Sequence, residues 1–520
     1  MRRKAVKFVF LAFAFLVLTA FASVSAAKTI YVPDDYARIQ WAVDSASIGD
    51  TIIVRDGTYY ENVVVNKKLT IKSENGSAYC IVDGSGSTVF TLEADGIRIE
   101  GFSITGGSDG IYIRSNNNSI SNNTISSNNY GIVLGGNNSS ISNNLISSNN
   151  DYGIVLGGNN NSISNNIISN NNRGIDLEGN NNSISNNIIS NNGCGIMFGG
   201  NNNSISNNII SNNNGGGIYF GGNNNSISNN LISSNTYEGI ELWEGNNNSI
   251  SENNISNNYC GIYLYDSNNN SISKNNIGSN NWYGIYLANS NNNIIYLNNF
   301  INNTYNAFSY DSTNIWNSTE KITYTYRGSK FENYMGNYWD DYKGSDANGD
   351  GIGDMPYSID SDKDYYPLMR PFEYYFAPEE PKVSVSTDKY EYRAGDVMLI
   401  NITFENPTDE RKSVKFLWRL DIPDYNLSFI VINNKSLSLP PEFKKTFVIS
   451  WRLPKLGASF NASWYVALYD GVISEDTADW RYIGAKKKGG EREIARDIAE
   501  YLGEIERSAL QSAKLIKSER

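Results

Sequence analysis

GIVLGGNNNSISNNIISNN, residues 153–171, decides how this chain folds. It is poor in charge and rich in Asn, a composition that also fits a disordered or prion-like tract. Its near-copies settle the choice. A Gly-Ile pair recurs with Gly at 110, 131, 153, 174, 195, 217, 239, 261 and 284, in steps of 21 to 23 residues. Each copy carries short strand-like segments, here GIVL, SIS and NIIS, separated by turns of Gly, Asn and Ser. A fixed period of this length marks one coil of a solenoid. A leucine-rich repeat shares the period, and Ile154, Leu156 and Asn159 fit a fragment of its core. The leucines that should precede them are missing, and the rest of the coil alternates like strands. The hexapeptide rhythm of left-handed β-helices is absent too. The period therefore predicts an all-β, three-sided parallel β-helix of ~22 residues per coil, its coils stacked at ~4.8 Å. The repeats from 105 to 304 would then form a rod of ~40 Å.

Differences between copies show which way side chains point. Varying positions accept Glu252, Asn254 or Lys274 and must face water, whereas unvarying ones face inward on the strand's period of two. An interior column is predicted from Asn123, Asn144, Asn166, Asn187, Asn208, Asn230, Asn253, Asn275 and Asn298. A second column runs from Asn128 to Asn303. Buried amides can hydrogen-bond to their copies above and below, or cap the turn backbone. Asn also tolerates the left-handed conformation that tight corners need. The Asn content thus reads as ladders and corners rather than disorder. Cys194 and Cys260 occupy one position three coils apart, ~14 Å at that spacing. A disulfide needs Cα atoms within ~7 Å, so these are expected to be free thiols. Cys80 has no evident partner.

The 520 residues suit two or three domains. Residues 1–26 resemble a secretory signal: Arg2, Arg3, Lys4 and Lys7, then FVFLAFAFLVLTAFA, then a small residue at Ala26. The competing reading is an uncleaved anchor. Export with cleavage is expected, to the extracellular space or the cell surface, with no transmembrane segment left behind. Formal net charge is −12, and the four cations of residues 1–26 leave −16 for the remainder. That balance argues against nucleic acid and anionic membranes as partners. The chain has no His, which removes Ser-His-Asp and Cys-His catalysis and His-ligated zinc or copper; neither metal is expected.

A solenoid needs caps at both ends. Residues 28–104 read as the N-terminal cap and first coils, opening on a short amphipathic helix with Ile39, Ala42 and Val43 on one face. Residues 305–372, aromatic and Asp-rich, should close the other end. From 381 to 483, alternating strands with turn signals predict a β-sandwich, immunoglobulin-like in architecture. Residues 491–518 carry an apolar stripe at helical spacing, from Ile494 to Ile516. That helix is expected to pack on its own protein or to self-associate into an oligomer.

GDTIIVRDGTYYENVVVNKKLTIKSEN, then the coils, then GNYWDDYKGSDANGDGIGDMPYSIDSDKDYYPLM resemble NosD-like right-handed parallel β-helix proteins. These belong to a wider pectin-lyase-like group that includes carbohydrate-binding and sugar-hydrolysing domains. The resemblance covers about 28–372 and implies a right-handed helix. Pairing such a helix with a β-sandwich also looks like archaeal surface proteins. The family's name implies a role in copper maturation. With no His and only six Met, no set of soft copper ligands is in view.

Three groups of residues could carry chemistry. Asp346, Asn348, Asp350, Ile352 and Asp354, with Gly351 at the sixth position, match the first part of an EF-hand-type loop and predict bound Ca²⁺. The twelfth position is Tyr357, so Asp360, Asp362 or Asp364 would have to supply the missing ligand. The plainer reading is an acidic, Gly-rich turn. On the GIxL face, the outward positions of the later coils hold Tyr219, Trp243, Tyr263, Tyr265 and Tyr286, a surface on which sugar rings could stack. Asp176 and Glu178 lie ~6.6 Å apart on one strand, and Glu241 sits among the aromatics; these are candidate catalytic carboxyls. The only cations from 117 to 304 are Arg173 and Lys274, so no basic cluster holds uronic acids. Two function classes remain: an exported structural or adhesive surface protein that binds polysaccharide or cell-surface glycan, or a polysaccharide hydrolase using paired carboxylates. A metal-delivery accessory is a third, against which the missing His stands. Asn401, Asn426, Asn434 and Asn461 are acceptor sequons in the sandwich region.

Overall fold

The computed structural model describes residues 26–360, 362–376, 380–408, 410–469, 474–484 and 498. The signal-like segment and nearly all of the C-terminal stripe lie outside these residues. The chain divides into two units, Met1–Phe376 and Ala377–Arg520.

The first unit is a three-sided parallel β-helix. Its first sheet has 13 strands, from Thr29–Val32 through every SIS segment to Ile294–Tyr296. A second has 12, from Val63–Val65 through the GIxL segments to Tyr305–Tyr310. The third has 13, from Gly57–Tyr60 through the NIIS segments to Tyr338–Trp339. All pair in parallel with no slip, as Ile141, Ile163 and Ile184 show. Residues 28–104, less regular in sequence, already belong to the same sheets. A helix, α1 (Ile39–Ser45), covers the first coil with Ile39, Ala42 and Val43 buried.

Each coil fills the rod with a few aliphatic side chains. Ile154, Leu156, Ile163 and Ile168 are all fully buried, each worth ~1.5–3 kcal/mol relative to exposure. The varying positions face outward as the pattern requires: Ile167, Ile188 and Ile209 are exposed, and Lys274 meets Glu252 at 3.9 Å.

Asn makes the corners. The Asn166 N–H and Nδ2 both donate to Asn187 Oδ1, at 2.9 and 3.0 Å, and Nδ2 also reaches the Ile141 and Ser164 carbonyls. The second column repeats this, with Asn171 on Asn192. A third buried ladder, which the sequence reading did not isolate, uses the last Asn of each NNN run: the Asn161 N–H donates to Asn182 Oδ1 at 2.8 Å. The residue before each ladder Asn takes the left-handed conformation, with φ of 56° at Asn160, 58° at Asn165 and 57° at Asn170. One Asn turns the chain while its neighbour satisfies the buried backbone.

Asn337 ends the first ladder by accepting the Asn298 N–H at 3.0 Å. It is held by buried Asp364, whose carboxylate takes the Asn337 N–H at 2.7 Å, the Trp339 indole at 2.9 Å and the Tyr366 N–H at 2.9 Å. Trp339 lies flat on Phe300, 4.4 Å between centroids. The GNYWDDY and DKDYYPL stretches thus plug the rod.

The second unit is a β-sandwich. One sheet holds Lys382–Thr387, Val397–Asn406 and Phe443–Arg452. The other orders Glu391–Arg393, Ser474–Ile483, Phe460–Tyr469, Lys412–Ile422 and Leu427–Leu439. Its core gathers Trp418, Trp451, Trp464 and Trp480, together with Ile498. Among the described residues, no helix is long and apolar enough to cross a membrane.

Candidate functional site

Three outward columns share the second sheet. The residue before each Gly gives Tyr152, Arg173 and Cys194, the residue after Ile gives Asp176, Met197, Tyr219, Glu241, Tyr263 and Tyr286, and Trp243 and Tyr265 align in the last. Between Glu178 and Trp243 the last column drops to Gly199 and Gly221. An open trough of about 420 Å³ results, lined by Asp176, Leu177, Glu178, Met197, Phe198, Gly199, Tyr219, Gly221, Gly222, Trp243 and Glu244. A Cβ built on Gly199 meets nothing within 4 Å, and its backbone is not left-handed. Neither packing nor conformation requires glycine there.

The aromatic candidates divide into two groups. Tyr219 and Trp243 line the trough, and Trp243, 38% exposed, stacks on Tyr265 at 4.3 Å. Tyr263 and Tyr286, 5.1 Å apart, instead join Trp282, Tyr283 and Phe308 in a cluster toward the C-terminal end. Burial, then Tyr286 and the Glu241 and Glu238 carboxylates, push the Tyr263 phenol up to about 12. Tyr283 and Trp282 escaped the sequence reading because they lie one column over.

The carboxyl candidates differ in state. Asp176 is tied to Arg173 at 2.8 Å, and that guanidinium also lies over the Tyr152 ring. Glu178 stands exposed at the trough edge. Glu241, flanked in register by Tyr219 and Tyr263, has its carboxyl pushed up to about 7, by burial first and Glu238 second. Burial also raises Glu238. Positions 238 and 241 are the counterparts of 173 and 176, so two acids stand where an earlier coil has an ion pair. Glu238 could have been found by aligning the residue before each Gly-Ile pair. Asp176 and Glu241 are three strands apart, ~14 Å, too far to act on one glycosidic bond.

The Asp-rich loop lies in the C-terminal cap. Asp346 accepts the N–H groups of Gly349 and Asp350 on Oδ1 and of Gly351 on Oδ2. Asp350 accepts Ile352 N–H, and Asp354 accepts Ser345 Oγ and the Ala347 N–H. Asp346, Asn348 and Asp350 thus share one tight turn, while Asp354 faces its entry. Asp360, Asp362 and Asp364 do not complete the loop: they accept hydrogen bonds from Ser309, Trp316 and Trp339 in the rod's end. Among the described residues, no group of three or more His, Cys, Asp or Glu converges as a metal cage.

A family model described as periplasmic copper-binding protein (NosD) matches residues 43–215 and 198–344, together more than half of the chain. The chain belongs to the NosD family. The copper in the NosD description does not fit this member's donors. His is absent, and burial pushes the Cys80 thiol up to about 12, Cys194 to about 11 and Cys260 well above the ordinary value. A cell surface glycoprotein of Methanothermus fervidus is 39% identical over 110 residues, which span 21% of this chain and 18% of that relative. Among solved structures, the mannuronan C-5 epimerase A-module of Azotobacter vinelandii superposes with a TM-score of 0.43 at 15% identity, covering 53% of this chain and 92% of its own. An α-1,3-glucanase catalytic domain gives 0.41 at 14%, over 57% and 70%. A pectate lyase gives 0.34 at 16%, over 56% and 79%. These likenesses concern the fold and carry no argument about activity.

Proposed function

We propose that this chain is an exported, structural or adhesive cell-surface protein that binds glycan in the trough of its second sheet. The apolar, basic-flanked start and the relative named as a cell surface glycoprotein support the surface reading. One observation carries the binding: an indole, fixed by stacking on Tyr265, walls an open trough floored by glycine. The C–H face of a sugar ring lies on such a plate, and an exposed aromatic of this kind marks a binding surface. A polysaccharide panel against the protein, with Trp243→Ala alongside, tests it. Affinity should fall about tenfold or more, as for loss of a stacked aromatic anchor. Unchanged binding by Trp243→Ala refutes the assignment.

A hydrolase is the second reading, favoured by Glu241. A carboxyl pushed up to about 7 beside a second carboxyl is the state a general acid needs. Reducing sugar released by the wild type and lost in Glu241→Gln supports it; no release from any glycan that binds rules it out. We also propose that the Asp346 loop takes structural Ca²⁺, because its tight turn gathers the side-chain oxygens of Asp346, Asn348 and Asp350.

A further inference from the structure

The charges around the trough are as informative as its shape. Asp176, Glu178 and Glu244 line it, and Glu241 stands beside Tyr219 on the next strand. The nearest cation, Arg173, is spent on Asp176 and the Tyr152 ring. Glu178 and Glu244 have no ion-pair partner among the described residues. The floor, meanwhile, is kept clear by a glycine that neither the backbone nor its neighbours demand. An apolar plate at one end, a clear floor and free carboxylates at the rim fit a ligand with a sugar ring and positive charge. Resting on the glycan-binding reading, we infer that the trough selects an oligomer of amino sugars with free amines: one ring on Trp243 with its ammonium at Glu244, and a second ammonium, ~14 Å along the oligomer, at Glu178. Like charge keeps uronic acids out, since one sign lining a concavity concentrates the opposite ion and repels its own.

Calorimetry at low salt tests the inference with four tetrasaccharides, made of β-1,4-linked glucosamine, N-acetylglucosamine, glucose and galacturonate, and with spermidine. The glucosamine tetramer should bind about tenfold more tightly than its acetylated and neutral counterparts, with the preference shrinking toward parity in 0.5 M salt as charges are screened. Galacturonate should not bind. Glu178→Gln/Glu244→Gln should erase the preference, bringing the affinity for the glucosamine tetramer to that for the neutral ones. Gly199→Leu, whose side chain enters open space and leaves the core untouched, should abolish binding of all of them. Equal affinity for the free and acetylated amine overturns amine selection but leaves glycan binding intact. Tight galacturonate binding, spermidine binding as tight as the sugar, or indifference to Gly199→Leu each overturn the inference. Binding of no oligosaccharide removes the glycan reading itself, and the inference with it.

Discussion

Asn187→Ala tests how the rod is held. Asn187 Oδ1 accepts the Asn166 backbone N–H at 2.9 Å and the Asn166 Nδ2 at 3.0 Å. Its own Nδ2 donates to the carbonyls of Ile163 and Ser185 and to Asn208 Oδ1. After truncation the Asn166 amide group keeps Ile141 and Ser164, but its backbone N–H is orphaned inside the protein. A buried donor without a partner costs ~1–3 kcal/mol, and each of the lost donations about 0.5–1.5. A loss of about 3–5 kcal/mol in local stability follows, before the small void is counted. Amide hydrogen exchange across residues 163–171 reads it directly. Protection should drop by roughly 10²–10⁴, at about 1.4 kcal/mol per decade. The control lies one residue away from Asn166: Asn165 is exposed with φ of 58°, a conformation glycine enters without strain, so Asn165→Gly should leave protection unchanged. Loss of under ~1 kcal/mol in Asn187→Ala, with the Asn166 amide still protected, would refute the ladder as a source of stability.

Other outcomes are open to measurement. The Glu241 carboxyl is raised from 4.5 to about 7 in the folded chain, so its contribution is fully present below pH 4.5 and is lost as pH rises through 7. Buried Asp364, raised from 3.8 to about 6, adds to the same slope, so the difference between wild type and Glu241→Gln isolates Glu241. Denaturant midpoints across pH 4 to 8 should show that difference growing in favour of Glu241→Gln; parallel profiles would contradict the shift. In the cap, Asp364→Ala strips the acceptor from Asn337, Trp339 and Tyr366 and should cost several kcal/mol, about 1–3 for each stranded donor; a melting curve like wild type would count against it. Millimolar Ca²⁺ should raise the melting temperature over that in chelator, and Asp346→Ala should erase the difference. No Ca²⁺ effect in wild type would sink the metal proposal.

Much of the rod was legible because its repeat exposes its own register. Ile163 and Ile168 recur without change while positions such as 252 and 274 accept charge, and that contrast separates inside from outside. The third ladder was harder to see. In NNN, three identical letters do three different jobs: Asn159 is half-buried at the outer corner, Asn160 is left-handed, and Asn161 is buried. Composition cannot rank them; only the neighbouring coil can. The trough was less legible still. Its aromatics and acids were visible one by one, but its defining residues are Gly199 and Gly221, and a glycine that keeps space open looks in sequence like any turn glycine. By spacing alone Asp362 and Asp364 look like spare calcium ligands, because they follow the loop closely in sequence. The structure gives them to the indoles of Trp316 and Trp339, far away along the chain.

The ladders also bear on how such a chain changes over generations. Every interior coil presents the same acceptor to the coil before it and the same donors to the one after. Excising residues 183–203 would bring Asn182 directly before Ser204, where Asn203 stood, and each ladder could rejoin. Coils so alike in sequence can be added or removed whole. A gene of this design varies in length by quanta, moving the caps nearer or farther by ~4.8 Å at a time while each remains intact. Reach above a surface then becomes a heritable quantity that can be adjusted without inventing a new fold.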